Sequence, residues 1–330
     1  MLELVIIGIA AALVFDFLNG FHDAANSIAT VVGTRVLRPL HAVSLAATAN
    51  FAGPFIFGTA VATTVGKGII NPSFSTEYVI LAGLIGAIIW DIITWYLGLP
   101  TSSSHALIGG LIGPAIVVGG VNAVIFGGVS KVLTFMVVSP IVGLAIAFSL
   151  ALLIMHVFRN ARPTAVNRVF GRAQLVSSAF FSLTHGANDG QKTMGVITAL
   201  LVTGGIIDAF KVPTYVILIA AFAIGAGTFF GGWRIVKTMA FRITNLKPYQ
   251  GFCAETGGGV ILTAMASLGI PVSTTQAIAG SIMGAGATRR LSAVRWGVGK
   301  KIVWAWLITI PASAGIGALT YKIIEIIGII

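Results

Sequence analysis

The sequence predicts an all-α integral membrane protein built from two inverted-topology repeats, with broken helices and re-entrant half-helices. Three observations support this fold class. The composition is too apolar for a soluble domain, because 57% of the 330 residues are hydrophobic, 9% are charged and the mean hydropathy is +1.00, whereas soluble domains are about 25% charged. Long apolar runs recur along the chain. Two polar motifs occur twice, once in each half.

The apolar runs have lengths close to the roughly 20 residues that a helix needs to cross the hydrocarbon core. They lie near residues 2–19, 42–62, 79–98, 132–157, 213–232 and 302–325. The first run has no basic segment before it and continues into a polar motif. We therefore interpret it as a membrane helix rather than as a cleaved signal peptide. A single cysteine, Cys253, excludes a fold held by intramolecular disulfides.

The duplicated motifs place polar residues inside apolar sequence. Residues 20–27 (GFHDAANS) are echoed by residues 186–193 (GANDGQKT), and residues 100–106 (PTSSSHA) by residues 271–277 (PVSTTQA). A polar site written twice in a hydrophobic chain is typical of membrane transporters with internal repeats.

Basic residues indicate how the two halves cross the membrane. The net charge of +11 is spread over short loops without interleaved aromatic residues, so it indicates topology rather than nucleic-acid binding. The loop around Lys67 is nearly uncharged, whereas the equivalent loop near Arg242 is strongly basic. Equivalent loops are therefore expected on opposite membrane faces, with both termini extracytoplasmic. This interpretation divides the chain into a first repeat (1–158), a cytoplasmic basic linker (159–173) and a second repeat (174–330).

The second motif of each half predicts a half-helix that begins with three hydroxyl-bearing residues. Segments 101–117 and 272–287 are short for full spans, so we expect both to be re-entrant. Converging helix N-termini bind anions through free N–H groups and the helix dipole. Alternatively, the hydroxyls cap these helices or hydrogen-bond between helices. The candidate anion-binding residues are Ser102, Ser103, Ser104, Ser273, Thr274 and Thr275.

The first motif of each half places one acid, Asp23 or Asp189, in apolar surroundings. An ionised carboxylate there costs about 2.5–3.5 kcal/mol, so each acid needs a positive partner. With Asn26 and Asn188 as further ligands, that partner can be a hard cation, a proton or Lys192. A purely structural Asp–Lys pair is the alternative. The glycines of these motifs, Gly20, Gly186 and Gly190, are expected to open the helices at this point.

Asp91 and Glu255 are further acids within apolar runs, and each either lines a pathway or hydrogen-bonds to its neighbours. We interpret His105 and His185, which flank the motifs, as structural.

The four motifs, in this order, resemble those of the inorganic phosphate transporter (PiT) family, and specifically its bacterial Pit-type members. The resemblance covers essentially the whole chain and depends on residues 20–27, 99–105, 185–192 and 271–275. It implies secondary uptake of inorganic phosphate through an inverted-repeat fold in the inner (plasma) membrane. It also implies a homodimer, a driving cation gradient and no resident cofactor.

Within this resemblance, the coupling ion depends on two departures from the sodium-driven pattern, which has an Asn-Asp-Val-x-Asn type of motif in both halves. His22 replaces the first Asn of half one, and Lys192 stands where half two would have its later Asn. An ammonium repels a sodium ion about 4 Å away by about 4 kcal/mol at an effective dielectric of ~20. At least one sodium site is therefore expected to be lost, and the titratable His22 beside Asp23 can carry a proton instead. The resemblance to bacterial Pit-type members implies proton symport of a neutral metal–phosphate complex.

In that interpretation, phosphate binds the hydroxyl triplets and Lys192. The coupling residues are His22, Asp23, Asn26, Asn188 and Asp189, and Asp23 and Asp189 are also the candidate ligands of a travelling divalent cation such as Mg²⁺. Sodium-coupled phosphate symport and sulfate transport are the alternatives. An enzyme is disfavoured, since the sequence has no nucleophile–base pair and no nucleotide-binding loop.

Overall fold

The computed structural model describes residues 2–328, and it folds these residues as twelve α-helices without a β-strand. The first half contains α1 to α6: Leu2–Gly33, Pro39–Ile56, Ala60–Gly68, Glu77–Leu97, Ser103–Gly119 and Phe126–Val157. The second half contains α7 to α12: Pro163–Thr203, Thr214–Phe230, Trp233–Lys237, Pro248–Ser267, Thr274–Ala287 and Trp296–Ile326. Short 3₁₀ turns lie at Pro72–Phe74, Gly120–Ala123 and Leu291–Ala293, and α9 continues as a π-helical turn, Thr238–Arg242.

Membrane-spanning helices are confirmed by length and composition. Five helical segments within residues 2–328 are long and apolar enough to cross a bilayer, namely Leu2–Gly33, Glu77–Leu97, Ser103–Ala123, Phe126–Val157 and Trp296–Ile326. Two bent pairs raise the number to seven if each pair is one span. The chain is therefore a multi-pass membrane protein.

Broken helices are also confirmed, and they occur at matching places in the two halves. The axes of α2 and α3 differ by 80°, and the axis of α8 differs from that of the segment Trp233–Arg242 by 58°. Each break contains a glycine with positive φ, Gly58 at +75° and Gly231 at +65°, a conformation that residues with a Cβ rarely adopt. The chain can therefore change direction there.

The expectation that the first motifs interrupt their helices is wrong. α1 and α7 continue through Gly20, Gly186 and Gly190 without a break. The glycines instead allow close helix packing, since a Cβ on Gly20 would lie 2.2 Å from the Ile224 carbonyl oxygen. A Cβ on Gly186 would lie 2.2 Å from the Asn50 carbonyl oxygen. The backbone is open instead just before α5 and α11, next to Pro100 and Pro271.

The two half-helices pack across the halves of the chain. α5 packs against α4 and α12, and α11 packs in the equivalent way against α10 and α6. Likewise α1 packs against α8, and α7 against α2. The packing is thus the same when the halves are exchanged, and both halves build one interior.

The half-helices begin two residues later than predicted, at Ser103 and Thr274. With 14 residues, α11 is about 21 Å long, which is too short for a hydrocarbon core of about 30 Å. α5 with its following turn reaches 21 residues. The opposite orientation of the halves and the division at residues 159–173 stay predictions; within that segment, α7 already begins at Pro163.

Two apolar clusters enclose the centre of the molecule. α1 contributes Phe15 to one cluster and Ile28 to the other. His22, Asp23 and Asn26 lie between these two residues on the same helix and are buried. The polar motif is therefore held between two apolar layers.

Candidate functional site

The polar motifs of the two halves converge at one buried site formed by α1, α7 and the N-terminal ends of α5 and α11. Every side chain predicted for this site is at most 5% exposed. These residues are His22, Asp23, Asn26, Ser102, Ser103, Ser104, Asn188, Asp189, Lys192, Ser273, Thr274 and Thr275.

The first hydroxyl of each triplet caps its half-helix. Ser102 Oγ accepts from the His105 N–H at 3.3 Å, and Ser273 Oγ accepts from the Gln276 N–H at 3.2 Å. Such caps fix where the helix begins. The second and third residues of each triplet then lie in the first helical turn, where backbone N–H groups have no intrahelical partner.

The triplet of the second half contacts the acids of both motifs. Thr274 Oγ1 donates to Asp189 Oδ2 at 3.0 Å and lies 3.4 Å from Asp23 Oδ2. Thr275 Oγ1 lies 3.3 Å from each carboxylate oxygen of Asp23. One helix end therefore joins the two acidic motifs.

Asn26 and Lys192 occupy the same position in their motifs, three residues after the acid, and make equivalent contacts. Asn26 Nδ2 donates to Thr275 Oγ1 at 2.9 Å. The Lys192 ammonium donates to Ser104 Oγ, which is the third residue of the other triplet. It also donates to Asp189 Oδ1 and, at 2.9 Å, to the Val272 carbonyl oxygen. Both Asp189 and Ser104 therefore face a fixed positive charge.

His22 connects Asp23 to the N-terminal end of α5. Its Nδ1 lies 2.8 Å from Asp23 Oδ1, and its Nε2 lies 3.2 Å from Thr94 Oγ1 and 3.3 Å from Thr101 Oγ1. Since both ring nitrogens face oxygens that can accept, the pocket can hold a ring protonated at both positions.

Asp91 lies near His22 on α4. Among the described residues, neither its carboxylate oxygens nor the neighbouring Ser103 Oγ has a hydrogen-bond partner. A buried carboxyl group and a free hydroxyl are therefore available on this side of the site.

His185 enters the site, contrary to its interpretation as a flanking structural residue. Its Nε2 lies 3.2 Å from Asp189 Oδ2, and its Nδ1 lies 3.1 Å from Asn50 Oδ1. Ligand atoms of Asp23, His185 and Asp189 all lie within 4.8 Å of one another, close enough to hold one metal ion. The spacing of four residues between His185 and Asp189 on one helix was the signal for this contact.

Asn188 is only partly directed toward the site. Its Nδ2 donates to the carbonyl oxygens of Thr184 at 3.1 Å and Leu262 at 3.0 Å. Its Oδ1 has no partner among residues 2–328 and can still act as a ligand.

Glu255 lies outside this cluster and is fully hydrogen-bonded. Its carboxylate accepts from Thr30 Oγ1 at 2.6 Å, from Gln174 Nε2 at 3.0 Å and from Ser177 Oγ. These donors come from α1 and α7, so Glu255 of α10 ties the two motif helices together.

The family model described as "Phosphate transporter family" matches residues 19–317. A protein described as "Probable low-affinity inorganic phosphate transporter" from Rhizobium meliloti (strain 1021) is 53% identical over 95% of this chain and 94% of its own length. A protein with the same description from Bacillus subtilis (strain 168) is 43% identical over 99% of both chains.

A solved structure described as "The sodium-dependent phosphate transporter" matches the fold with a TM-score of 0.89. It covers 98% of this chain and 100% of its own, at 26% sequence identity. These relatives are transporters and not enzymes. With the family model covering both pairs of motifs, the chain belongs to the phosphate transporter family.

Proposed function

We propose that this chain imports inorganic phosphate by proton symport and that phosphate travels as a neutral complex with a divalent cation such as Mg²⁺. The observation that carries this proposal is the position of Lys192, whose ammonium donates to both Asp189 and Ser104 inside the duplicated motif. It offers phosphate a positive partner at the place where a sodium ion would otherwise bind.

Phosphate binding is supported by the two half-helix ends. Each end offers free backbone N–H groups and a positive dipole, and Ser103, Ser104, Thr274 and Thr275 add hydroxyls that can donate to phosphate oxygens. Ser103 Oγ is buried, and no residue between 2 and 328 hydrogen-bonds to it. The capping residues Ser102 and Ser273 contribute through the helix ends that they fix.

Charge balance supports a neutral cargo. Asp23 and Asp189 contribute two negative charges and Lys192 contributes one positive charge, so one negative charge is left. A proton on the His22–Asp23 pair neutralises it. Unaccompanied phosphate would bring further negative charge into a site enclosed by apolar helices, and such burial is costly. A divalent cation held by Asp23, Asp189 and the nearby His185 removes this cost.

Sodium-coupled phosphate symport is the second candidate. The solved neighbour is described as sodium-dependent, and the cluster of Asp23, His185 and Asp189 can also hold a monovalent cation. Lys192 argues against a sodium ion that binds Asp189 on its own, because its ammonium is fixed on Asp189 by a direct hydrogen bond. The divalent cation of the proposed complex enters together with phosphate, whose negative charge offsets that of Lys192. Sulfate transport, which would use the same hydroxyls and helix ends, is a competing outcome of the experiment below.

The same proposal includes a homodimer in the inner (plasma) membrane with both termini extracytoplasmic. The distribution of basic loops supports the orientation. The resemblance to the PiT family supports the dimer.

Uptake of labelled phosphate into proteoliposomes tests the proposal. Proton and sodium gradients are imposed separately, with Mg²⁺ present or absent and with sulfate as competitor. We expect accumulation that is driven by the proton gradient and increased by Mg²⁺. Accumulation that requires a sodium gradient would contradict proton coupling. Uptake of sulfate in place of phosphate would change the substrate.

A further inference from the structure

Asp16 is a buried acid on α1 that the proposed transport site does not use. It is 0% exposed and follows Phe15 in sequence, a member of the apolar cluster that also contains Ala12 and Ile197. Neither of its carboxylate oxygens has a hydrogen-bond partner among the described residues. An ionised carboxylate in this state costs several kcal/mol, so Asp16 needs a positive charge that the protein does not itself supply.

Glu255 shows how a structural acid in the same protein is held. Three donors, from Thr30, Gln174 and Ser177, satisfy its carboxylate. Asp16 has none of these contacts, although it is buried to the same degree. A structural role of the kind that Glu255 has therefore does not account for Asp16.

Two further buried polar groups face Asp16. The side chains of Asn19 and Thr193 lie near its carboxylate, although neither forms a hydrogen bond of ordinary length and angle with it. Asn19 Oδ1 and Thr193 Oγ1 also lack hydrogen-bond partners within residues 2–328, and both residues are at most 1% exposed. Three buried oxygen-bearing side chains of α1 and α7 thus lie near one another.

The charged groups that act on Asp16 both come from α7. They are Asp189 and Lys192. The Lys192 ammonium already donates to Asp189, Ser104 and the Val272 carbonyl, so it is not the missing partner of Asp16.

We propose that Asp16, Asn19 and Thr193 form a second binding site for the coupling cation, separate from the site at Asp23 and Asp189. The site takes one positive charge, because it contains one carboxylate and two neutral oxygen ligands. This inference rests on the proposed proton symport for the identity of that charge, which is a proton on Asp16. The O–H of a protonated Asp16 would donate to Asn19 Oδ1 or Thr193 Oγ1, so that the unsatisfied groups satisfy one another.

The position of Asp16 along α1 indicates where in the proton pathway this site lies. Asp16 lies seven residues before Asp23, which places it on nearly the same face of α1 and about 10 Å nearer the N-terminus. The predicted topology makes this the extracytoplasmic side. Asp16 therefore loads the proton from outside before it reaches His22 and Asp23.

The equivalent position of the second half has no acid. Ser182 occupies the equivalent position, seven residues before Asp189, and its hydroxyl donates to the Ser178 carbonyl oxygen of its own helix at 2.8 Å. Ser182 also provides a matched control.

Asp16→Asn removes the titratable group with little change in volume, and Ser182→Ala changes the equivalent position of α7. In proteoliposomes, proton-driven accumulation should fall about tenfold or more in Asp16→Asn, whereas phosphate exchange at equal pH stays within about twofold of wild type. Ser182→Ala should keep both activities. Proton-driven accumulation at the wild-type level in Asp16→Asn would overturn the proposal.

Carbodiimide labelling of the wild-type protein decides the case in which Asp16→Asn loses exchange as well. The reagent reacts with protonated carboxyl groups in apolar surroundings, and mass spectrometry locates the adduct. We expect labelling of Asp16 that decreases as the pH rises and does not respond to Na⁺. Protection by Na⁺ at constant pH, or no labelling of Asp16 at any pH, would overturn the assignment. Wild-type protein that shows labelling but no proton-driven uptake would refute the proposed function alone.

Discussion

Replacement of Lys192 by Asn tests whether one ammonium excludes sodium from the site. The substitution gives the second motif the residue that Asn26 provides in the first. Lys192 is buried and fixed by Asp189, Ser104 and the Val272 carbonyl, so its charge cannot move away from an incoming cation. We expect Lys192→Asn to create a sodium site at Asp189.

The size of this effect follows from the geometry. A cation bound by Asp189 would lie about 4 Å from the ammonium that the same carboxylate binds, which gives a repulsion of about 4 kcal/mol at an effective dielectric of ~20. Since about 1.4 kcal/mol corresponds to a tenfold change, removal of the ammonium should strengthen sodium binding by about three orders of magnitude.

Thermal unfolding of the purified protein in NaCl and in choline chloride at equal ionic strength measures this change. A ligand at 100 times its Kd stabilises the folded state by about 2.7 kcal/mol. Lys192→Asn should therefore unfold several degrees higher in NaCl, and wild type should not. Lys192→Arg keeps the charge and serves as the control. Wild type that sodium already stabilises as strongly as it stabilises Lys192→Asn would refute the reasoning.

Three further substitutions test other parts of the site and fold. Asn26→Ala removes the donor to Thr275, which is worth about 1–3 kcal/mol, so the KM for phosphate uptake should rise about tenfold; an unchanged KM would remove Asn26 from the site. Gly53→Ala places a Cβ 2.2 Å from the Leu183 carbonyl oxygen and should lower the Tm, whereas Gly127→Ala, with nothing within 4 Å, should not. Glu255→Leu leaves three buried donors without an acceptor, so the free energy of unfolding, measured by chemical denaturation, should fall by about 3 kcal/mol or more. Glu255→Gln retains an acceptor, so its free energy of unfolding should fall less.

The sequence alone was sufficient for the class of fold and for much of the set of residues that converge at the candidate site. Burial of an unpaired polar group is costly, so the sequence favours convergence of both acids and both hydroxyl triplets in the folded chain. Apolar runs of about 20 residues left no alternative to membrane helices. The pairing of Lys192 with Asp189 followed from a spacing of three residues on one helix.

The roles of the glycines could not be predicted from local sequence. A glycine in a helix either weakens the backbone or permits close packing, and the choice depends on which helix lies opposite. At Gly20 and Gly186 the opposite elements are α8 and α2, whose backbone carbonyls approach too closely for a Cβ. The helices therefore remain continuous at these two glycines.

Side-chain direction explains the other differences between the predicted and the observed site. His185 points toward Asp23 and Asp189, whereas the Asn188 amide group donates to two backbone carbonyls. Both residues lie close to Asp189 in sequence, so the motif did not distinguish them. The sequence did not single out Asp16, because it lies outside the duplicated motif. Only the folded structure shows that its carboxylate has no hydrogen-bond partner among the described residues.

The balance point of transport tests proton coupling most directly. A fixed phosphate gradient is set across the proteoliposome membrane without sodium, and the opposing proton gradient is varied until net phosphate flux stops. Proton symport predicts that net phosphate flux is zero at one value of the proton gradient. The flux changes direction on either side of that value, and the value does not depend on added sodium. Flux that runs down the phosphate gradient at every proton gradient, or that stops only when a sodium gradient opposes it, would contradict the account.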